Sequence, residues 1–237
     1  MATQPLRVVI IGGHPVIRGV VRLACGGVEG ASVVAEASTL AEAAEVVADA
    51  RPDLLVLDLD LPDGDGIEIL ERLADERIRD QEGSPLRLLV LSDRDDGASV
   101  LEALRLGASG YLTKSEGLRG LTTALRRVAA GHRVVPPELE ERAVTELGRF
   151  ARQARERADI EAAITPRERE VLFQLAEGLT TQQIGRRLSI SPRTVETHVS
   201  KLYRKLDVSS RVQAVSRAAS LGLIDLGDRR GPWVADA

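Results

Sequence analysis

The sequence predicts two folds in series: a doubly wound α/β domain with a five-stranded parallel sheet, then a helical linker and an all-α domain of four short helices. Three observations carry this expectation. The first half alternates short β-rich runs with amphipathic stretches. Pro136 and Pro137 end that alternation, and beyond them the apolar residues keep helical spacing only. Charge divides the same way: residues 1–135 hold 15 Lys+Arg against 21 Asp+Glu, whereas residues 164–226 hold 10 against 6. The net charge of −4 therefore conceals a basic end.

In the first domain, residues 1–135, the strands are expected at LRVVII (6–11), SVVAEA (32–37), LLVL (54–57), RLLVL (87–91) and SGYLT (109–113). Short, nearly continuous apolar runs of this kind suit parallel strands covered on both faces. Amphipathic helices are expected near 15–26, 40–50, 65–76, 97–106 and 117–130. In such sheets the ligand crevice lies beyond the carboxyl ends of the strands, where strand order reverses. The residues that follow the strands therefore spell the site: Gly12 and Gly13, then Asp58, then Ser92, then Lys114.

Residues 136–163 form the linker, strongly helix-forming, with Leu139, Ala143, Leu147, Phe150, Ala154 and Ala158 near helical spacing. That stripe suits packing against either domain or a second copy, or plain solvation. In residues 164–226, Thr165 caps a first helix opened by Pro166, and Gly178 ends it. Thr180 caps a second, with Ile184 and Leu188; Ser191 and Pro192 start a third that runs to about Leu206. Helix, tight turn and helix is a DNA-reading arrangement. In the third helix Val195, Val199, Leu202 and Leu206 recur at helical spacing and form the buried stripe, leaving Arg193, Thr194, Glu196, Thr197, Ser200, Lys201, Arg204 and Lys205 outward. Small hydrogen-bonding groups near the start suit base edges, and the later cations suit phosphates. The tail, residues 227–237 with Trp233, is expected to be mobile.

With TPREREVL at its start, EGL at its turn and TVETHV in its third helix, the C-terminal segment resembles the LuxR-type output domain of NarL/FixJ regulators. The resemblance implies base contacts from Glu196, Thr197 and Ser200. It leaves Thr181, Arg193, Thr194, Lys201, Arg204 and Lys205 for phosphates. It also implies a dimer contact on the fourth helix, with Val212, Val215 and Ala219 as candidates that equally suit a core. Glu196 departs from the basic residue often found at its position. A glutamate accepts from a cytosine amino group but is repelled by phosphate, so the operator should differ here.

The N-terminal part, with VLDLDLPDGDG (56–66) and GASGYLTK (107–114), resembles the receiver domain of bacterial two-component response regulators. That resemblance implies Asp58 as phosphoacceptor, Lys114 as its partner, Ser92 as a phosphate ligand, Tyr111 as a residue that swings inward, and the Asp60 carbonyl as a magnesium ligand. One part departs from it. Receivers follow the first strand with two acidic residues, and this chain has Gly12-Gly13-His14-Pro15. Magnesium needs oxygen ligands, carboxylates above all. Magnesium binding is therefore expected to be weak or absent, and Lys114 should pair with Asp58 more tightly. Rescue of the ion by Asp60 or Asp63, and with it ordinary phosphorylation of Asp58, is one alternative. Others are a relic pocket in a dimerisation module and a crevice for a small-molecule ligand.

The three histidines are scattered without ligand spacing, which argues against a transition-metal site. Cys25 is the only cysteine, so no internal disulfide is possible. No apolar run approaches the roughly 20 residues of a membrane span, and no leader pattern is evident. The expectation is a cytoplasmic regulator of transcription that binds double-stranded DNA as a homodimer without acting as an enzyme. Its rival is a protein acting chiefly through a heterodimer with another response regulator.

Overall fold

A computed structural model describes residues 5–76, 83 and 85–224. The tail 227–237 with Trp233, and the last two residues of the expected 164–226 domain, lie outside them. By its internal contacts the chain divides into two units, Met1–Leu147 and Gly148–Ala237.

The first unit runs β1 (Leu6–Ile11), α1 (Pro15–Gly26), β2 (Ala31–Ala37), α2 (Leu40–Ala50), β3 (Leu54–Asp58), β4 (Asp60–Leu61), β5 (Gly64–Asp65), α3 (Ile67–Glu76), β6 (Arg87–Ser92), α4 (Gly97–Arg105), β7 (Gly110–Thr113) and α5 (Gly117–Ala129). Five strands form one parallel sheet in the order β2-β1-β3-β6-β7. Alternation along each strand feeds two cores. Val9, Ile11, Leu55 and Leu57 face one side with Val47, Leu70 and Val100. Val8, Ile10, Leu54 and Val56 face the other with Val21, Leu121 and Leu125. Strand order reverses between β1 and β3, which puts Gly12 and Asp58 side by side at the rim. The small antiparallel hairpin β4–β5 was not expected; it turns on Pro62-Asp63.

Helix α6 (Pro137–Ala163) covers the segment expected as a linker. The division between units falls inside it rather than on either side of 136–163. Leu139 and Ala143 are buried with the core of the first unit, and Ile160 packs on the core of the second. Leu147 and Phe150, from the expected stripe, are exposed.

The second unit continues with α7 (Pro166–Ala176), α8 (Thr181–Leu188), α9 (Pro192–Leu206) and α10 (Arg211–Ser220). Side-chain caps start each: Thr165, Thr180, Ser191 and Ser210 accept from backbone N–H groups three residues on, and the first two complete capping boxes with Glu168 and Gln183. Val171, Ile184, Val195, Leu202 and Ala214 are fully buried together. Gly185 allows α8 to meet the turn into α9: a Cβ there would lie 2.8 Å from the Ile190 carbonyl oxygen.

Candidate functional site

Two sites arise, one in each unit. At the rim of the sheet, Asp58 ends β3 and is 2% exposed. Its Oδ1 accepts the Asp60 backbone N–H at 2.9 Å and lies 2.9 Å from Lys114 Nζ, so the expected ion pair is present. Lys114 follows β7, and its ammonium also meets Asp60 Oδ2 and Asp93 Oδ2, each at 3.2 Å. Burial pushes the Asp58 carboxyl up, and the Asp60 amide and Lys114 offset this only in part. Burial acts on Asp60 in the same sense, but Lys114 and Arg94 outweigh it and hold that carboxyl below the usual range. Lys114, which burial alone would lower, is raised by Asp58, Asp93 and Asp60.

Two arginines complete the pocket, and sequence reading missed both. Arg18, on the first turn of α1, donates from Nη1 to the carbonyl oxygens of Gly12 (2.7 Å) and Gly13 (3.4 Å), with Nε 3.3 Å from Glu36. Its position one turn inside α1, within reach of the glycine carbonyls, was the available signal. Arg94 spans two carboxylates, with Nη1 2.6 Å from Asp65 Oδ2 and Nη2 3.2 Å from Asp60 Oδ1. Ser92, fully buried, accepts the Arg94 backbone N–H at 3.1 Å. Tyr111 is fully buried and points inward, its hydroxyl donating to the Arg94 carbonyl oxygen at 2.8 Å. Burial, opposed by the Ser92 hydroxyl, pushes the Tyr111 hydroxyl to about 12.

Gly12 and Gly13 differ in the space they leave. A Cβ on Gly12 would make ordinary contacts of 3.6 Å with Arg18 and Asp58, whereas one on Gly13 would come within 2.8 Å of Pro62 Cδ. Asp63, one of the two side chains of the rescue alternative, does not turn to the pocket: its carboxylate accepts the Leu40 and Ala41 backbone N–H groups (2.7 and 3.1 Å) at the start of α2. Unpaired helix N–H groups attract the short acidic side chain of the nearby hairpin. His14 caps α1, its Nδ1 accepting from Val16 N at 3.2 Å.

In the second unit α9 presents its outer face as expected for most residues. Glu196, Thr197, Ser200, Arg193, Thr194, Lys201 and Arg204 are exposed, and Thr181, at the start of α8, is half-buried. Thr197 Oγ1 donates to the Arg193 carbonyl (3.0 Å), and the Thr194 hydroxyl meets that of the capping Ser191 (2.8 Å). Lys205 is the correction: its ammonium donates to Glu168 Oε2 (2.5 Å) and the Ala163 carbonyl (2.8 Å). At 3.6 residues per turn Lys205 falls at the edge of the buried stripe, not opposite it, and Glu168 is 2% exposed and needs a counter-ion. Arg186, exposed on α8, was also missed. On α10, Val212 is 78% exposed, while Val215 and Ala219 are half-buried against the core of their own unit.

A carboxylate-lysine crevice on a doubly wound sheet, followed by a helix-turn-helix with an outward row of polar and basic residues, defines a class: a DNA-binding transcription regulator with a receiver unit ahead of its output unit. Known proteins agree. The model of the response regulator receiver domain matches residues 8–126, and that of the luxR family of bacterial regulatory proteins matches residues 162–218. The chain is 38% identical over 217 residues to the DNA-binding transcriptional activator DevR/DosR of Mycobacterium tuberculosis, spanning 91% of this chain and 95% of that protein. It is 33% identical over 211 residues to the nitrate/nitrite response regulator protein NarL of Escherichia coli K12, spanning 89% and 94%. A solved two-component response regulator of the LuxR family from Aurantimonas sp. SI85-9A1 is 30% identical with a TM-score of 0.52, covering 60% of this chain and 98% of that one. The chain belongs to the NarL/LuxR-type response regulators, and it is a DNA-binding transcriptional regulator of that type.

Proposed function

We propose that this regulator binds its operator as a homodimer and that its output does not depend on magnesium-assisted phosphorylation of Asp58. One observation carries the second point. The carbonyl oxygens of Gly12 and Gly13, all that this pair can offer a hard cation, are bonded to the Arg18 guanidinium. The side chains that could replace the missing pair are engaged elsewhere: Asp60 is shared between Lys114 and Arg94, and Asp63 caps α2. Control then falls to dimerisation, to abundance or to a ligand in the crevice.

On DNA, α9 lies in the major groove with Glu196, Thr197 and Ser200 at base edges, and Thr181, Arg193, Thr194, Lys201 and Arg204 at phosphates. Glu196 accepts from a cytosine amino group. The exposure of Val212 supports α10 as the contact between copies, and a twofold pair reads half-sites about one helical turn apart. No helix among the described residues is long and apolar enough to cross a membrane. What supports a cytoplasmic location is the DNA target. Enzymatic turnover forms no part of this reading.

The test is a gel shift with the purified full chain on operator fragments selected from genomic DNA, in magnesium-free buffer. Specific complexes that survive competitor DNA are expected. Loss of all specific binding at low salt would sink the homodimer reading and favour a heterodimer with another response regulator.

A further inference from the structure

Arg94 is the residue on which the pocket of the first unit converges. Its guanidinium reaches back to the segment after β3, where it bridges Asp60 on β4 and Asp65 on β5. Asp65 Oδ1 in turn accepts the Ile67 N–H at the start of α3 (3.0 Å), so this contact fixes a helix start as well. The Arg94 backbone N–H goes to Ser92 Oγ, and its carbonyl oxygen receives the Tyr111 hydroxyl. Around Asp60 the charges alternate: Asp65, Arg94, Asp60, Lys114, Asp58. A planar fork can serve two carboxylates at once, which a point charge does less well.

We propose that Arg94 is the positioning residue of this pocket, an internal cation that ties the segment after β3 to the segment after β6 and holds Tyr111 inward without an added ion. The inference rests on the reading that the pocket works without magnesium, and supplies the group that does the holding. Both bridges are partly exposed, with Arg94 at 32%, Asp60 at 42% and Asp65 at 41% side-chain exposure. Each is therefore modest in strength, and salt weakens both. The contact with buried Tyr111 is made by the Arg94 backbone carbonyl, so the guanidinium acts on Tyr111 by fixing where that stretch of backbone lies.

Amide hydrogen exchange on the full chain, in magnesium-free buffer, tests this with Arg94→Ala, Arg94→Lys, Asp65→Ala and the Arg94→Ala/Asp65→Ala double variant. Arg94→Ala is expected to speed exchange about fivefold in residues 59–66 and 93–97, as the loss of such partly exposed pairs allows. Arg94→Lys should fall between it and the parent protein. Asp65→Ala should speed residues 59–66, and the double variant should be no faster there than Arg94→Ala, because the two act through one contact. Exchange unchanged in both Arg94 variants, or effects of Arg94→Ala and Asp65→Ala that simply multiply, overturns the proposal. Arg94→Lys keeps the decision open to measurement if Arg94→Ala does not fold. The gel shift decides the functional reading separately: loss of specific DNA binding by the parent protein leaves the exchange result to stand or fall by itself.

Discussion

Asp58 in the first unit and Glu168 in the second are both 2% exposed, and each lies against one lysine, Lys114 and Lys205 respectively. Their carboxyls nevertheless shift in opposite directions. Burial prevails at Asp58 and pushes it up. At Glu168 burial acts in the same sense but is outweighed by Lys205 and by the Thr165 N–H and hydroxyl, at 2.9 and 3.0 Å. Asp58 accepts a single backbone N–H, and its lysine is divided among three carboxylates. What separates them is how many donors are aimed at the charged form. A carboxylate so fully satisfied is scaffold, while one left short of donors in a crevice marks a site with potential chemistry.

The largest effect is expected at Glu168. Glu168→Ala removes half of a capping box and the partner of a lysine, and is expected to cost about 3 kcal/mol. Denaturant unfolding followed by probes in each unit should show the loss in the second unit and little change in the first. Equal losses in both would mean that Glu168 is not local scaffold.

The two lysines of α9 sharpen the distinction. Lys205→Ala should lower second-unit stability by about 2 kcal/mol while leaving the salt dependence of DNA binding unchanged. Lys201→Ala should do the reverse: stability stays within about 0.5 kcal/mol, and the slope of log affinity against log salt falls by about one. A reduced slope for Lys205→Ala would show that Lys205 leaves Glu168 for a phosphate.

Acid is the gentlest probe. Glu168 has its folded value lowered, so its contribution is present above the ordinary glutamate value of about 4.3 and is lost as pH falls through the lowered one. Asp58 is raised, so between that raised value and the ordinary aspartate value of about 3.9 the folded first unit takes up a proton that the unfolded chain does not, which favours folding as pH falls. Asp60, Asp63, Asp96 and Glu42, all lowered, oppose this within the same unit, so the two signs are read from variants at the two residues themselves. Asp58→Asn should make the urea midpoint of the first unit fall more steeply on acidification, and Glu168→Gln should make that of the second fall less steeply. Changes of the same sense in both would contradict the opposite signs.

Sequence made the sheet legible because parallel strands covered on both faces read as unbroken apolar runs, and their ends spelled Asp58, Ser92 and Lys114. Caps such as Thr165, Thr180 and Ser191 were legible for a similar reason: they act on backbone a few residues away. Arg18 left only its place near the start of α1 as a signal, and Arg94 left none, because the oxygens a long cation finds across the chain depend on loop paths. Arg94 meets Asp65 across 29 residues of chain. Lys205 was misread because its type suggested solvent, whereas its place beside the stripe gave it to Glu168, 37 residues earlier. The hairpin β4–β5 announced itself only in Pro62-Asp63-Gly64, since two-residue strands are too short to show a period.

If DNA binding by α9 does not wait on phosphorylation of Asp58, operator affinity is the same under phosphorylating and non-phosphorylating conditions. The full chain and Asp58→Asn are compared with and without acetyl phosphate and magnesium. The four affinities should agree within about twofold, less than 0.5 kcal/mol. A tightening of about tenfold or more that needs both reagents and vanishes in Asp58→Asn would contradict the account.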